Sequence, residues 1–273
     1  RPDMELIDLV VGCEGTLGVI SELELRLLPL PPSIWALLAF FADEAGALRF
    51  VRSALTSGLR PAALEYFDNN SLRLLERPAP AAIYAEYHGN REASEEELAA
   101  MAENLERCGA EESRTWSADT PRELARLKEF RHSLPETVNR IIAERQKLVP
   151  GITKLGTDFA VPGQELERSL AMYQRDLASN KLEHVLFGHV GDFHLHVNIL
   201  PRTPAEYERG RALVAGWAEA VIGWGGTVSA EHGIGKLKKE YLALQYPPSA
   251  FDEMRAVKTA LDPDGILNPG DVL

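Results

Sequence analysis

The chain has 273 residues, of which 45% are hydrophobic and 26% are charged, an ordinary balance for a globular protein with a packed core. Its formal net charge of -12 argues against nucleic-acid binding, because a surface that repels phosphate gains no counterion release. No apolar run approaches the roughly 20 residues that span a bilayer. The only cysteines, Cys13 and Cys108, are too few for a disulfide framework and favour a reducing compartment.

The sequence begins RPDMELIDLVVGCEG, where a strand-like run leads directly into a glycine motif. It has neither an initiator methionine nor a signal peptide. Such a beginning is typical of the interior of a larger protein.

Apolar runs with strand character alternate with segments of helical periodicity. The predicted strands are WALLAFFA (35–42), AALEYF (62–67), AAIYAEYHG (81–89), LGTDFAVP (155–162) and the runs around FGHVGDFHLHVNIL (187–200). The predicted helices are 43–58 with a stop at Gly58, 68–76, 93–109, one that begins at the capping box 120–123, 163–180, and 204–224. This order predicts an α+β fold, with an antiparallel sheet covered by helices on one face.

The run FGHVGDFHLHVNIL holds three of the seven histidines of the chain. A two-residue turn at Asp192–Phe193 would pair His189 with His196, and directly paired Cβ atoms lie about 5 Å apart. That spacing allows two imidazoles to share a metal ion. His194 and His196 would lie on the same face of one strand. The alternative is a polar, solvated sheet face that binds nothing, and this run alone leaves both interpretations open.

A second candidate cluster lies in GGTVSAEHGIGKLKKEYL (225–242), where Glu231 and His232 precede flexible glycines. Two histidines and one carboxylate are a common catalytic metal set. Taken alone, Glu231 could instead complement a helix dipole and His232 could be an ordinary surface residue. Together, the two clusters favour a metal site.

Four segments resemble the flavin-linked oxidases of the vanillyl-alcohol oxidase superfamily: VVGCEGTLGVISELELRLLPLP, GHVGDFHLHVN, SAEHGIGKLKKEYL and ALDPDGILNPGDVL. The similarity is to the branch with D-lactate dehydrogenase, the glycolate oxidase flavin subunit and D-2-hydroxyglutarate dehydrogenase. It covers only the C-terminal half of the family's chain. The resemblance implies that residues 1–30 are the remnant of an FAD-binding domain and residues 31–273 the C-terminal substrate (cap) domain, with a flavin-contacting tail.

The resemblance also implies roles for individual residues. His189, His196 and Glu231 would hold a divalent metal, zinc or manganese, and His232 would be the catalytic base. Arg131, Lys154 and Asn198 would bind the substrate. The FAD contacts would come from Glu14, Gly15, Gly18, Val19, Ile20 and Asn268. The family usually has Gly-Asn where this chain has Phe193-His194, which adds a third candidate ligand and leaves the identity of the metal open.

The activity implied is oxidation of a D-2-hydroxy acid to the 2-oxo acid with hydride transfer to FAD. The metal would polarise the hydroxyl group, His232 would take its proton, and Arg131 would fix the carboxylate. The alternatives are a metal-dependent hydrolase and a flavin-dependent transferase like the alkyl-dihydroxyacetonephosphate synthases.

The implied partners are a small 2-hydroxy acid, the missing N-terminal FAD-binding half, and an electron-acceptor protein or quinone. We expect a cytoplasmic protein that associates peripherally with the inner face of the membrane. We also expect the fragment to be inactive by itself, because the glycine-rich segment that would cradle FAD precedes it in the family.

Overall fold

The computed structural model describes residues 5–57, 61–89 and 95–273, and these fall into two compact units. The larger unit contains Pro29–Thr157 and Gly163–Val214. The smaller unit contains the described residues up to Leu28, Asp158–Pro162 and Ala215–Leu273. The predicted division into residues 1–30 and 31–273 stays a prediction.

Seven strands of the larger unit form one antiparallel sheet in the order β4-β1-β3-β2-β7-β8-β5. They are β1 (Ser33–Phe41), β2 (Ala63–Asp68), β3 (Ala81–Gly89), β4 (Trp116–Ala118), β5 (Leu155–Gly156), β7 (His184–Gly188) and β8 (His194–Ile199), while β6 (Phe159–Ala160) lies in the smaller unit. The predicted run LGTDFAVP is therefore two short strands rather than one. The break falls at Asp158, which accepts hydrogen bonds from residues 229–238 instead of continuing a strand.

The helices are α1 (Leu6–Val10), α2 (Glu44–Thr56), α3 (Asn69–Leu74), α4 (Glu95–Arg107), α5 (Pro121–Leu148), α6 (Leu166–Asn180), α7 (Pro204–Gly223), α8 (Lys239–Gln245) and α9 (Pro248–Leu261). Thr120 caps α5, as its capping box predicts. The predicted stop at Gly58 lies outside the described residues. The N-terminal strand-like run is a short helix, in which the N–H of Glu5 donates to the Asp8 carboxylate at 2.9 Å. Within the described ranges, no helix is both long enough and apolar enough to cross a membrane.

The sheet is apolar on both faces, and this differs from the predicted covering of one face. Neighbouring strand residues point to opposite faces. Phe41 contacts Phe50 of α2, with ring centroids 5.8 Å apart. Its neighbour Phe40 belongs to the core cluster that includes Leu134 of α5. The α+β class with an antiparallel sheet is confirmed. Helices pack against both faces of the sheet, because the β1 side chains that point to either face are apolar.

Candidate active site

The histidine-rich hairpin has a longer turn than the sequence predicts. After β7 ends at Gly188, a 3-10 turn spans Val190–Asp192, and Phe193 adopts a left-handed conformation with φ 55° before β8 begins. The residue paired with His196 is Phe187. Direct pairing of His189 with His196 is therefore wrong, because the turn takes up the residues that a two-residue loop would have left in the strands.

The turn nevertheless brings three imidazole rings together in the larger unit. The ring centroid of His189 lies 5.5 Å from that of His194 and 5.6 Å from that of His196. The ring centroids of His194 and His196 are 4.3 Å apart. One ring nitrogen from each residue lies within 4.8 Å of the others. The three nitrogens therefore have a spacing at which they could bind one ion.

Hydrogen bonds set the orientation of two of these rings. Nδ1 of His189 lies 2.9 Å from Glu65 Oε1, and Nδ1 of His196 lies 3.1 Å from the carbonyl oxygen of Thr157. The Thr157 carbonyl and an ionised Glu65 carboxylate are acceptors, so each Nδ1 is placed to donate a proton, and the neutral form of each ring would keep the lone pair of Nε2 for a metal. An imidazole that donates from one nitrogen to a carboxylate or carbonyl is the usual form of a metal ligand. The donor set therefore fits a divalent metal.

Arg131 lies on α5 and reaches the same carboxylate as His189. Its Nη2 is 2.6 Å from Glu65 Oε1, and its guanidinium carbon is 5.9 Å from the ring centre of Tyr84. Glu65 is almost completely buried, whereas the Arg131 side chain is 28% exposed. The guanidinium has five N–H donors in a planar fork, so groups remain that could bind a second carboxylate.

The other two predicted substrate-binding residues are Asn198, on β8, and Lys154, which directly precedes β5. Asn198 is buried on β8, two residues after His196 and on the same face. Lys154 precedes β5, which pairs with β8 through Gly156 and Asn198. Although Lys154 is exposed as a residue, partial burial of its ammonium group lowers its pKa. A lysine with a lowered pKa is more common in a functional site than elsewhere.

In the smaller unit, Asp158 organises the segment that carries Glu231 and His232. Its carboxylate accepts hydrogen bonds from the backbone N–H groups of both residues, at 3.2 and 3.0 Å. It also accepts from Ser229 Oγ at 3.1 Å and pairs with Lys238 Nζ at 2.7 Å. Asp158 is 2% exposed. A buried, fully bonded carboxylate thus fixes the backbone of this segment.

The two predicted functional side chains of this segment contact each other. Nε2 of His232 lies 3.2 Å from Glu231 Oε1, and Nδ1 lies 3.9 Å from Asp158 Oδ1. The His232 side chain is 61% exposed, so a bound molecule could reach it. The contact with Glu231 restricts the ring orientation, and an exposed imidazole of this kind could accept a proton from a bound molecule.

The predicted FAD contacts in the smaller unit lie around Glu14. The carboxylate of Glu14 accepts from the N–H groups of Ile234 and Gly235, and its carbonyl accepts from Asn268 Nδ2. Gly15 has a positive φ, and no heavy atom lies within 4 Å of the Cβ position of Gly18. Val19 and Ile20 are exposed. The two glycines and these apolar side chains leave a surface that a flat aromatic ring could approach closely.

Gly188 shows why the hairpin needs a glycine directly before His189. Its φ is 139°, and an added Cβ would lie 2.9 Å from Cδ2 of His196 and 3.0 Å from the carbonyl oxygen of His194.

We expect Gly188→Ala to lower the free energy of unfolding by about 1–3 kcal/mol. Urea denaturation measures this loss. Gly216→Ala is the matched control, since its Cβ would enter open space in α7 and alanine favours a helix. Equal midpoints for Gly188→Ala and wild type would contradict the proposed constraint.

A family model described as "FAD linked oxidases, C-terminal domain" matches residues 30–272. The chain belongs to this family. Among the relatives of this FAD-linked oxidase domain, a probable mitochondrial D-lactate dehydrogenase of Danio rerio is 29% identical, with 98% of this chain and 54% of the relative covered. A glycolate oxidase subunit of Bacillus subtilis is 31% identical (97% and 56% covered), and a D-2-hydroxyglutarate dehydrogenase of Stutzerimonas stutzeri is 30% identical (98% and 58% covered). The chain spans little more than half the length of these relatives.

Two solved structures share the fold of the FAD-linked oxidase domain. An alkyldihydroxyacetonephosphate synthase is 15% identical, with a TM-score of 0.66 and coverage of 98% of this chain and 50% of that one. A p-cresol methylhydroxylase is 16% identical, with a TM-score of 0.61 and coverage of 90% and 54%. At this identity the similarity concerns the fold alone.

The structure adds two carboxylates that the sequence analysis did not select, Glu65 and Asp158. Each is a charged residue inside an apolar strand-like run, AALEYF and LGTDFAVP. A buried carboxylate must be paired or hydrogen-bonded, so a charge at such a position indicates a specific partner. This signal could have identified both residues as site candidates, although not their partners.

Proposed function

We propose that this chain is the substrate-binding half of an FAD-dependent dehydrogenase that oxidises a D-2-hydroxy acid to the 2-oxo acid. The observation that supports this most directly is that Arg131 and His189 contact one carboxylate, that of Glu65. A 2-hydroxy acid carries its carboxylate and hydroxyl groups on adjacent carbons. It therefore requires a cationic fork close to the group that polarises the hydroxyl. Lactate, glycolate and 2-hydroxyglutarate, named in the relatives, share this feature.

We propose that a divalent metal is held by His189 and His196, the two imidazoles whose Nδ1 atoms are already bonded. Glu231 is the proposed third ligand on the basis of the resemblance. Imidazole and carboxylate ligands suit zinc, and manganese accepts them also. His194 contributes a further imidazole to the same group of rings.

The proposed roles of the protein groups follow from their chemistry. When bound, FAD supplies the acceptor for the substrate hydride and the metal supplies Lewis acidity. Arg131 binds the substrate carboxylate, with Lys154 and Asn198 as further polar contacts. His232 accepts the hydroxyl proton on its imidazole. Arg131 and the metal ligands therefore orient the substrate, and His232 removes the proton that oxidation releases.

We propose that the flavin contacts involve the backbone of Glu14, Gly15 and Gly18, together with Val19, Ile20 and Asn268. The Glu14 carboxylate is bound by the amides of residues 234 and 235, so its contribution would be through the main chain. The N-terminal half of the enzyme would supply the rest of the cofactor site. The fragment by itself would accordingly be inactive.

The proposed partners are the hydroxy acid, this N-terminal half, and an electron-acceptor protein or quinone. One yeast relative is named as a cytochrome-linked D-lactate dehydrogenase, which supports a protein acceptor. We propose a cytoplasmic location with peripheral contact to the inner face of the membrane, where a quinone would be accessible.

Anaerobic mixing of the full-length, FAD-loaded protein with hydroxy acids tests the function. We expect D-lactate or D-2-hydroxyglutarate to bleach the flavin absorbance, with stoichiometric formation of the 2-oxo acid. The L-enantiomers should bleach it far more slowly, because they cannot place the carboxylate, the hydroxyl and the Cα–H bond correctly at once. Flavin that stays oxidised with D-lactate, glycolate and D-2-hydroxyglutarate would exclude the proposed activity.

A further inference from the structure

We infer that Glu65 is a positioning residue that fixes a metal-ligating imidazole and the substrate-binding guanidinium with a single carboxylate. This inference rests on the proposed function, in which His189 binds the metal and Arg131 binds the substrate. It adds a residue with no proposed contact to metal, flavin or substrate.

The sheet register places Glu65 beside the hairpin. Tyr66 of β2 pairs with Gly188 of β7, so the same antiparallel register carried one residue further puts Glu65 opposite His189. Nδ1 of His189 lies 2.9 Å from Glu65 Oε1. A carboxylate at this position holds the proton on Nδ1 and orients the ring, as the outer partners of metal-bound histidines do.

The second partner comes from α5. Arg131 lies on the same side of the helix as the buried residues Leu127 and Leu134, which pack against the sheet. This packing directs its guanidinium to Glu65, with Nη2 2.6 Å from Oε1. The two donors thus converge on one oxygen atom, and movement of the carboxylate would displace both.

The burial of Glu65 favours a specific role over a solvated surface charge. The residue is 4% exposed, and a buried carboxylate is costly unless it is paired. Glu86 on the neighbouring strand shows what a structural carboxylate on this face looks like. It is 7% exposed and is bonded by Tyr84, His88 and Lys128, none of which has a proposed functional role.

The test measures zinc affinity of the full-length protein by competition with a chromophoric chelator, for wild type, Glu65→Ala, Glu65→Gln and Glu86→Gln. We expect Glu65→Ala to bind zinc about 10–100-fold more weakly, as is typical when an outer-shell partner is lost. Glu65→Gln keeps an acceptor oxygen and loses only the charge, so its affinity should fall between wild type and Glu65→Ala. Glu86→Gln controls for loss of a buried charge and should match wild type. If Glu65→Ala does not fold, the zinc affinity of Glu65→Gln tests the inference instead.

A second readout separates Arg131 from the metal. With zinc at saturation, Glu65→Ala should raise the KM for the hydroxy acid, because the guanidinium is no longer held in place. Glu65→Gln should raise the KM less, because its amide oxygen still accepts a hydrogen bond from Arg131. Wild-type zinc affinity in the Glu65 variants, or an equal loss in Glu86→Gln, would overturn the inference, as would absence of zinc binding by wild type. Flavin bleaching by D-hydroxy acids in the wild-type sample tests the proposed function separately.

Discussion

Replacement of His196 by alanine is expected to remove the proposed divalent metal from the full-length protein and to abolish the proposed flavin reduction by the hydroxy acid. His196 is buried on β8, and the carbonyl of Thr157 fixes its Nδ1, so its Nε2 is held in one position within the group of imidazoles. Loss of a direct ligand should weaken metal binding by more than the roughly 10–100-fold typical of an outer-shell residue. Elemental analysis after dialysis and anaerobic flavin bleaching measure the two effects.

Two histidines provide controls for this experiment. His132 follows Arg131 on α5 and is exposed, so His132→Ala should keep both metal and activity. His194→Asn should keep most of the proposed metal, because it leaves the anchored imidazoles of His189 and His196 unchanged and introduces the asparagine that the resemblance implies for this position. Full metal occupancy in His196→Ala would show that the hairpin is a polar sheet face and not a metal site.

The strands and helices were largely predictable because their signals are local. The capping box at Thr120 and the apolar runs of β1 and β3 identify their elements without knowledge of the rest of the chain. The helices on both faces could also have been anticipated. β1 reads SIWALLAFF with no polar alternation after Ser33, and a strand of this kind is buried on both sides.

The register of the histidine hairpin was not predictable in the same way. It depends on Phe193 in a left-handed conformation, and a bulky residue is uncommon there. A glycine at this position would have indicated a longer turn with a left-handed residue, whereas a phenylalanine gives no such indication. The histidines were identified correctly as neighbours, but their pairing depends on a turn that the side chains do not specify.

The partners of the buried carboxylates were hidden for a different reason. Glu65 and His189 are 124 residues apart, and Asp158 binds the N–H of His232 across 74 residues. A charge in an apolar strand indicates that some partner exists, yet only the tertiary fold determines which one. The candidate ligands could therefore be read from motifs, while the residues that orient them could not.

Replacement of His232 by alanine should slow flavin reduction by about 10²–10⁴-fold, the usual contribution of a general base. The metal and FAD should remain bound. Asp158 holds this segment through the backbone N–H groups of Glu231 and His232, and alanine keeps both of those donors. Removal of the imidazole is therefore expected to leave the segment in place and to remove only the proton acceptor. Stopped-flow bleaching and metal content, measured on the same samples, give the two readouts.

The adjacent carboxylate should respond in the opposite way. Because Glu231 is the proposed third metal ligand, the Glu231→Ala protein should lose metal occupancy and substrate affinity together. The control Glu240→Ala, on α8, should change neither. Added imidazole should partly restore the rate in His232→Ala, because the missing group is a proton acceptor, and should not restore Glu231→Ala. If His232→Ala empties the metal site while Glu231→Ala leaves it full, the two roles are reversed. If neither replacement slows bleaching, proton transfer in this enzyme does not involve the segment that Asp158 holds.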